Sequence, residues 1–159
     1  MFDEFMGMPM HPLLVHGVVV FVPLLVLAAL AYALVPRVRD RVGWAAALLA
    51  IAAPVSAFLA TQSGEALERR LVAKGYQGEA LAKIQQHAEY GDMTFWFSLG
   101  LAVATGLLLW VTSGSRRVSG LPSWVGLVLT VVIVVLAVVA SIYVFLAGDS
   151  GAKMLWSEV

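Results

Sequence analysis

Four long stretches of the chain carry no formally charged side chain, and they constrain the fold more than any other feature. They are residues 5–36, 42–64, 93–115 and 118–148. Each exceeds the roughly 18 apolar residues that indicate a candidate transmembrane helix. Within them we predict four spans, at 13–35, 43–61, 93–111 and 121–146. The sequence therefore predicts an all-α integral membrane protein folded as a four-transmembrane-helix bundle.

The composition excludes several other classes of protein. Hydrophobic residues make up 61% of the chain and charged residues 13%, against roughly 25% charged in an ordinary soluble domain. Lysine plus arginine and aspartate plus glutamate number 10 each, so there is no basic excess to hold a nucleic acid backbone. No cysteine is present, which excludes disulfides, thiolate metal sites and covalently attached c-type haem. We expect the lipid bilayer as the main partner and no nucleic acid.

The charges between the spans predict the orientation. Two loops on one side together hold five basic residues and one acidic residue: Arg37, Arg39, Asp40, Arg41, Arg116 and Arg117. The opposite side holds five basic and nine acidic residues. By the positive-inside rule the basic side is cytoplasmic, and Trp44, Trp110 and Trp124 mark the same ends of the spans. We therefore expect a multi-pass protein of the bacterial cytoplasmic membrane with both termini outside.

The two halves of the chain resemble each other. Residues 58–67 and 145–154 share Phe-Leu-Ala and Ser-Gly at matching positions, and residues 11–16 and 87–92 read His, four residues, then His or Asp. This pattern predicts two helical hairpins packed about a pseudo-twofold axis along the membrane normal. The single domain, 1–159, then divides into hairpin 1 (11–67), an outer cap (65–90) and hairpin 2 (87–154), and the repeated motifs converge at the outer end.

The outer cap is predicted to be helical. Residues 65–74 and 79–86 have leucines and an isoleucine at helical spacing, and the Gly75–Gly78 segment between them breaks the pattern. We interpret them as two short amphipathic helices lying over the bundle mouth. The Ser63-Gly64 and Ser150-Gly151 pairs are predicted to end the second and fourth spans, with glycine as the C-terminal cap.

The three histidines all lie in the opening motifs on the outer side. Polar groups near membrane depth indicate function, and imidazole is the commonest protein ligand for metals and for b-type haem iron. Two arrangements remain open. His11 and His87 ligate haem b on the pseudo-axis, with His16 as a further cofactor-binding residue, or His11, His16, His87 and Asp92 hold iron, copper or zinc.

Helix geometry favours separate roles for two of these histidines. His11 and His16 are five residues apart, about 140° around an ideal helix, so they do not point at one ion unless Pro12 re-aims His11. The alternative is that His11, just before Pro12, lies at the start of a helix and binds no ligand. Gln62 and Asp149 occupy equivalent closing positions and are predicted to accept hydrogen bonds from ligand imidazoles.

The opening His11-Pro12-Leu13-Leu14-Val15-His16 resembles the hallmark of a bacterial four-helix membrane family, the domain of unknown function 2231. The resemblance extends to Ser63-Gly64, to the motif at His87 and to Gly148-Asp149-Ser150-Gly151. The family typically continues its opening with Phe-Pro, whereas Gly17-Val18 stand here and the proline comes at Pro23. Some relatives carry fused Rieske iron–sulfur domains and Asp for the second histidine, which resembles His87 and Asp92 and implies a redox setting.

These observations leave two main functions open. The first is haem or metal binding at the outer face, in electron transfer or cofactor handling near the respiratory chain. The alternative is a non-catalytic accessory subunit of a larger respiratory complex, or a homodimer, with close helix contacts at Gly100, Ala104 and Gly106.

Two other functions are less favoured. A transporter or channel would usually have a charge at mid-membrane depth, and no predicted span has one. An enzyme acting alone is not expected because the outer cap is too small for a substrate domain.

Overall fold

The computed structural model describes residues 4–5, 8–114, 121–122 and 124–156, and most of them lie in four long helices. These are α1 (Met10–Leu34), α2 (Arg39–Ala73), α3 (Glu79–Thr112) and α4 (Trp124–Trp156). A 3-10 turn, Pro36–Val38, joins α1 to α2, and two short antiparallel strands, β1 (Glu4–Phe5) and β2 (Met8–Pro9), precede α1. All four helices are long and apolar enough to cross a membrane. The predicted all-α four-helix membrane fold is confirmed.

The helices pack in sequence order around the bundle. Each contacts the next, α4 closes back onto α1, and α1 also touches α3 across the diagonal. The centre of the bundle is lined mainly by small side chains, which let the helices approach closely. The buried alanines include Ala29, Ala53, Ala57, Ala60, Ala102, Ala104, Ala137 and Ala140. The hairpins predicted from the repeat therefore pack side by side.

Large apolar side chains face outward along the spans. Leu27, Ile51 and Leu127 are each about two-thirds exposed, at 64%, 66% and 66%. A soluble protein rarely displays so much contiguous apolar surface. Lipid contact accounts for this surface, because acyl chains solvate apolar side chains at no cost.

The segment predicted as an outer cap is helical, but it is not made of separate helices. α2 runs on to Ala73 and α3 begins at Glu79, so both extend beyond their apolar spans. The break falls at Gly75 (φ 91°) and Gly78 (φ 63°). The Tyr76 amide donates to the Leu71 carbonyl and the Gly75 amide to that of Val72, which is the Schellman pattern that ends a helix at a left-handed glycine.

The prediction that Gly64 and Gly151 cap their helices is wrong. α2 continues past Gly64 to Ala73, and α4 continues past Gly151 to Trp156. An interior glycine costs a helix only about 1 kcal/mol, whereas ending there would leave the last four carbonyls of the helix without intrahelical partners. Continuation is therefore favoured.

The other end of the bundle is held by polar contacts between its helices. The Tyr32 hydroxyl of α1 donates to Thr112 Oγ1 of α3 at 2.6 Å, because Thr112 gives its own proton to the Leu108 carbonyl. Arg39 donates to the Tyr32 carbonyl at 2.9 Å and so satisfies the end of α1. The third-loop residues Arg116 and Arg117, on which part of the predicted orientation depends, lie outside the described residues.

Candidate functional site

His11 and His87 meet at the end of the bundle where the repeated motifs converge. His11 lies in the first turn of α1, and His87 lies on the part of α3 that precedes the apolar span. Their ring centroids are 5.9 Å apart and their planes are nearly perpendicular, at 84°. The diagonal contact between α1 and α3 thus brings together one histidine from each half of the chain.

The His11 ring is held by α2, its partner helix in the first hairpin. Its Nδ1 lies 3.0 Å from the carbonyl oxygen of Ala60 and 3.1 Å from Oγ of Ser63. The Ser63 hydroxyl donates its proton to the Ala60 carbonyl at 2.8 Å. Ala60 and Ser63 are both buried, so these groups have few competing partners.

The His87 ring is held by α4 in the same way. Its Nδ1 lies 2.9 Å from Oγ of Ser150, and the ring also has a hydrogen-bonding interaction with the Ala147 carbonyl. Ser150 donates to the Ala147 carbonyl at 3.1 Å. Ala147 and Ser150 correspond by the repeat to Ala60 and Ser63, so the two ring environments are equivalent.

These hydrogen bonds fix the tautomer of both rings. A carbonyl oxygen only accepts, and each serine has already given its proton to a carbonyl. Nδ1 of His11 and of His87 must therefore carry the hydrogen and donate. The lone pair of each neutral ring is consequently on Nε2, and neither Nε2 has a hydrogen bond within the described part of the chain.

Gly64 and Gly151 provide the space that the rings occupy. A Cβ atom added at Gly64 would lie 3.2 Å from Cε1 of His11, and one added at Gly151 would lie 3.0 Å from Cε1 of His87. Both distances are shorter than normal carbon–carbon contacts of about 3.5–4.0 Å. Each ring therefore packs directly against the backbone of the neighbouring helix, at a glycine that has no side chain.

Both histidines precede the predicted apolar spans of their helices, at 13–35 and 93–111. His87 precedes the apolar span of α3 by six residues, a rise of about 9 Å along a helix. Both rings are half-buried between the helix ends. Two imidazolium ions this close would repel each other, so the site favours rings that are not both protonated.

Two imidazole rings whose centroids are 5.9 Å apart, each with an Nε2 lone pair that no described residue engages, suit a metal. Imidazole nitrogen binds transition metals at about 2.0–2.1 Å. The Nδ1 hydrogen bonds supply the outer partners that orient metal-bound histidines in other proteins. His11 and His87 are the residues that would hold a haem iron or a metal ion.

The other predicted ligands do not join the pair. His16 is exposed, and its Nδ1 bonds the Pro12 carbonyl of its own helix at 2.6 Å; Asp92 is also exposed. Within the described residues no group of three or more His, Cys, Asp or Glu side chains is placed to hold a metal ion. Because His11 is already helical, the 140° separation from His16 applies and the compact four-ligand set does not assemble.

The hydrogen-bond partners of the rings are Ser63 and Ser150, not the predicted Gln62 and Asp149. Asp149 instead pairs with Lys153 at 2.7 Å. Neighbouring residues on a helix point about 100° apart. Gln62 and Asp149, one position before the two serines, therefore lie on a different face of their helices. The sequence did contain the signal, since Ala, Ser and Gly recur at matching positions of both halves while the residues at 62 and 149 differ.

Comparison with known protein families gives a match over most of the chain. The model of a family described as "Predicted membrane protein (DUF2231)" matches residues 7–159. No curated protein and no solved structure matches the chain.

Proposed function

We propose that this chain, which belongs to the DUF2231 family of predicted membrane proteins, binds a transition metal centre. The ligands are Nε2 of His11 and Nε2 of His87. The centre is either haem b or a metal ion of iron, copper or zinc. The site lies on the outer face of the bacterial cytoplasmic membrane, and its role is electron transfer or cofactor handling near the respiratory chain. We do not expect the protein to act as an enzyme on its own.

One observation carries this proposal: each half of the chain presents a neutral imidazole whose Nδ1 is occupied and whose Nε2 is not. A histidine that only starts a helix needs neither a serine and a carbonyl on Nδ1 nor a glycine against its ring. Here both rings have both features. The duplication of this arrangement at a single point supports a symmetric ligand between the halves.

The position of the pair supports a role in redox or cofactor exchange rather than in transport. The site is at the bundle mouth, where a soluble or membrane partner reaches it without crossing the lipid. Along the spans, the buried polar side chains that are described are hydroxyls bonded to their own helices, such as Ser98 and Thr105. A conducting path would need charged or hydrated groups at that depth.

The test is an absorption spectrum of the full-length protein in detergent, reduced minus oxidised, with elemental analysis of the same sample. We expect a stoichiometric metal, accompanied by a haem band if the iron is in a porphyrin. His11→Ala and His87→Ala should each abolish the signal, because one imidazole of the pair is lost. His16→Ala is the matched control and should leave it unchanged. A wild-type protein that holds no metal or haem, even after loading with each, would overturn the proposal.

The accessory-subunit function is the second candidate, and one surface favours it. An apolar groove of about 400 Å³ runs between α3 and α4, lined by Trp96, Gly100 and Leu136 among others. Gly106 lies six residues after Gly100 on α3 and has nothing within 4 Å of an added Cβ. Such a surface accepts a neighbouring helix closely.

This candidate predicts a stable complex in mild detergent. The native chain should migrate with a respiratory partner or as a homodimer, and Gly106→Leu should disrupt that complex by filling the contact. Ile142→Leu, on an exposed position of α4, is the control. A chain that migrates alone, with and without the substitution, rules out this candidate.

A further inference from the structure

Three arginines stand within five residues at the end of the bundle opposite the histidine pair, and the side chain of one is engaged. Arg39 donates to the carbonyl oxygens of Tyr32 and Ala33, at 2.9 and 3.4 Å, and its guanidinium carbon lies 5.4 Å from the centre of the Tyr32 ring. Arg37 and Arg41 are exposed, and neither side chain has a hydrogen bond or an ion pair with another described residue. Their guanidinium groups are therefore open to a ligand from outside the chain.

An exposed face of α2 continues from these arginines. Four exposed side chains lie on one side of the helix, because they are spaced by three or four residues. They are Arg41, Trp44, Leu48 and Ile51. Arg37 precedes Arg41 by four residues, in the 3-10 turn that leads into α2. The face therefore begins with two cations, continues with an indole that is 68% exposed, and passes into aliphatic side chains.

We propose that this face of α2 binds an anionic phospholipid. The guanidinium groups of Arg37 and Arg41 hold the headgroup phosphate, and the acyl chains lie along Leu48 and Ile51. The planar guanidinium donors match the oxygens of a phosphate, and tryptophan is favoured at the level between headgroups and acyl chains. The proposal does not depend on the histidine site.

The direction of the side chains agrees with this order of groups. In an α-helix every Cα–Cβ bond tilts toward the N-terminus. Arg41 and Trp44 therefore lean toward the start of α2, away from the middle of the span predicted at 43–61. A long arginine side chain at such a position extends toward the headgroups while its methylene groups stay against apolar surface.

The charge at the start of α2 favours an anionic headgroup over a zwitterionic one. Residues 36–44 hold three arginines and one acidic residue, Asp40. Asp40 is exposed, and it forms no ion pair with an arginine in the described part of the chain. A basic side chain near a membrane surface attracts anionic lipid by about fivefold in binding constant.

The ordinary alternative is that the arginines only set the direction of insertion, as the positive-inside rule describes. In that case no lipid is selected at this face. The two cases are separated by the lipid composition beside Trp44 and by its dependence on Arg37 and Arg41.

Trp44 itself can report which lipid lies beside it. The chain has five tryptophans, so the test uses the full-length chain with the other four changed to phenylalanine, in phosphatidylcholine vesicles. A fraction of the lipid is either phosphatidylglycerol or phosphatidylcholine with brominated acyl chains, which quench a nearby indole. We expect phosphatidylglycerol to bind beside Trp44 at least about fivefold more strongly than phosphatidylcholine. Arg37→Gln combined with Arg41→Gln should remove this preference.

The chain offers matched controls. Arg69→Gln changes an exposed arginine of α2 that is already paired with Glu65, and it should leave the preference unchanged. A reporter chain that keeps only Trp96, an exposed residue of α3 near the histidine end, should show no preference. Brominated phosphatidylcholine should quench Trp44 equally in the double variant, which shows that α2 is still in contact with lipid.

Three results would overturn the proposal. The first is equal binding of the two lipids beside Trp44, or a preference that persists in the double variant. The second is the same preference at Trp96, because the attraction is then general rather than local. The third is no quenching of Trp44 by either brominated lipid, because the face is then covered by protein, either a second copy or another chain.

Discussion

A serine and the glycine after it, both on the partner helix, determine where each candidate ligand ring lies. Ser63 and Ser150 accept the Nδ1 proton, and Gly64 and Gly151, one residue further on, leave room for the ring. A larger side chain at the glycine would push the imidazole away from the serine beside it. The orientation of each lone pair therefore depends on the absence of one methyl group.

Gly151→Ala should displace His87 and weaken ligand binding by about tenfold to a hundredfold, as the loss of an orienting partner does in metal sites. Gly64→Ala should have the smaller effect, because the added Cβ would meet His11 at 3.2 Å rather than 3.0 Å. Affinity for the bound metal or haem is the measurement. Gly148→Ala is the control: it lies on the same helix with nothing within 4 Å of the new Cβ, so it should keep the affinity and raise stability by up to about 1 kcal/mol. Equal effects at positions 148 and 151 would contradict this explanation.

At the scale of the helices, the sequence predicts the spans better than the helix ends. The charge-free stretches predict all four helices because the bilayer requires long apolar segments whose backbone groups are internally bonded. Gly75 and Gly78 are correctly predicted as a break, since each has a positive φ. Gly64 looks the same in the sequence, yet it lies within α2. The difference is tertiary, because the space at Gly64 is filled by a ring 53 positions earlier in the chain.

The same limit applies to the candidate site. The repeat correctly indicates that the motifs share one end of the bundle, and the pairing of His11 with His87 follows from its symmetry. The roles of Gln62 and Ser63 could not be separated, because adjacent positions differ only in which helix face they occupy. That choice depends on how α1 is rotated against α2, and hydropathy does not specify a rotation when both faces of a helix are apolar.

At the scale of the whole molecule, the zero net charge is divided between the two ends. Exposed tryptophans mark the end with the basic loops, at the start of α2 (Trp44), the end of α3 (Trp110) and the start of α4 (Trp124). The histidine pair is at the opposite, acidic end. A protein with this polarity has one preferred direction of insertion.

The chain has no cysteine, so single cysteines report this direction directly. Tyr76→Cys, in the exposed turn between α2 and α3, should react with a membrane-impermeant maleimide on intact cells. Asp40→Cys, at the start of α2, should react only after the membrane is permeabilised, because the basic loops are expected in the cytoplasm. The cysteine-free parent chain gives the background. The reverse labelling pattern would place the histidine pair inside the cell.

Each hairpin contains everything needed for its own half of the histidine site. His11 takes its serine and glycine from α2, and His87 takes its own from α4. Two copies of a single ancestral hairpin, related by an exact twofold axis, would therefore have formed the same paired site as a dimer. Gene duplication and fusion would then have allowed the halves to diverge. His11 is now followed five residues later by His16, and His87 by Asp92. The contact between His11 and His87 would have been kept.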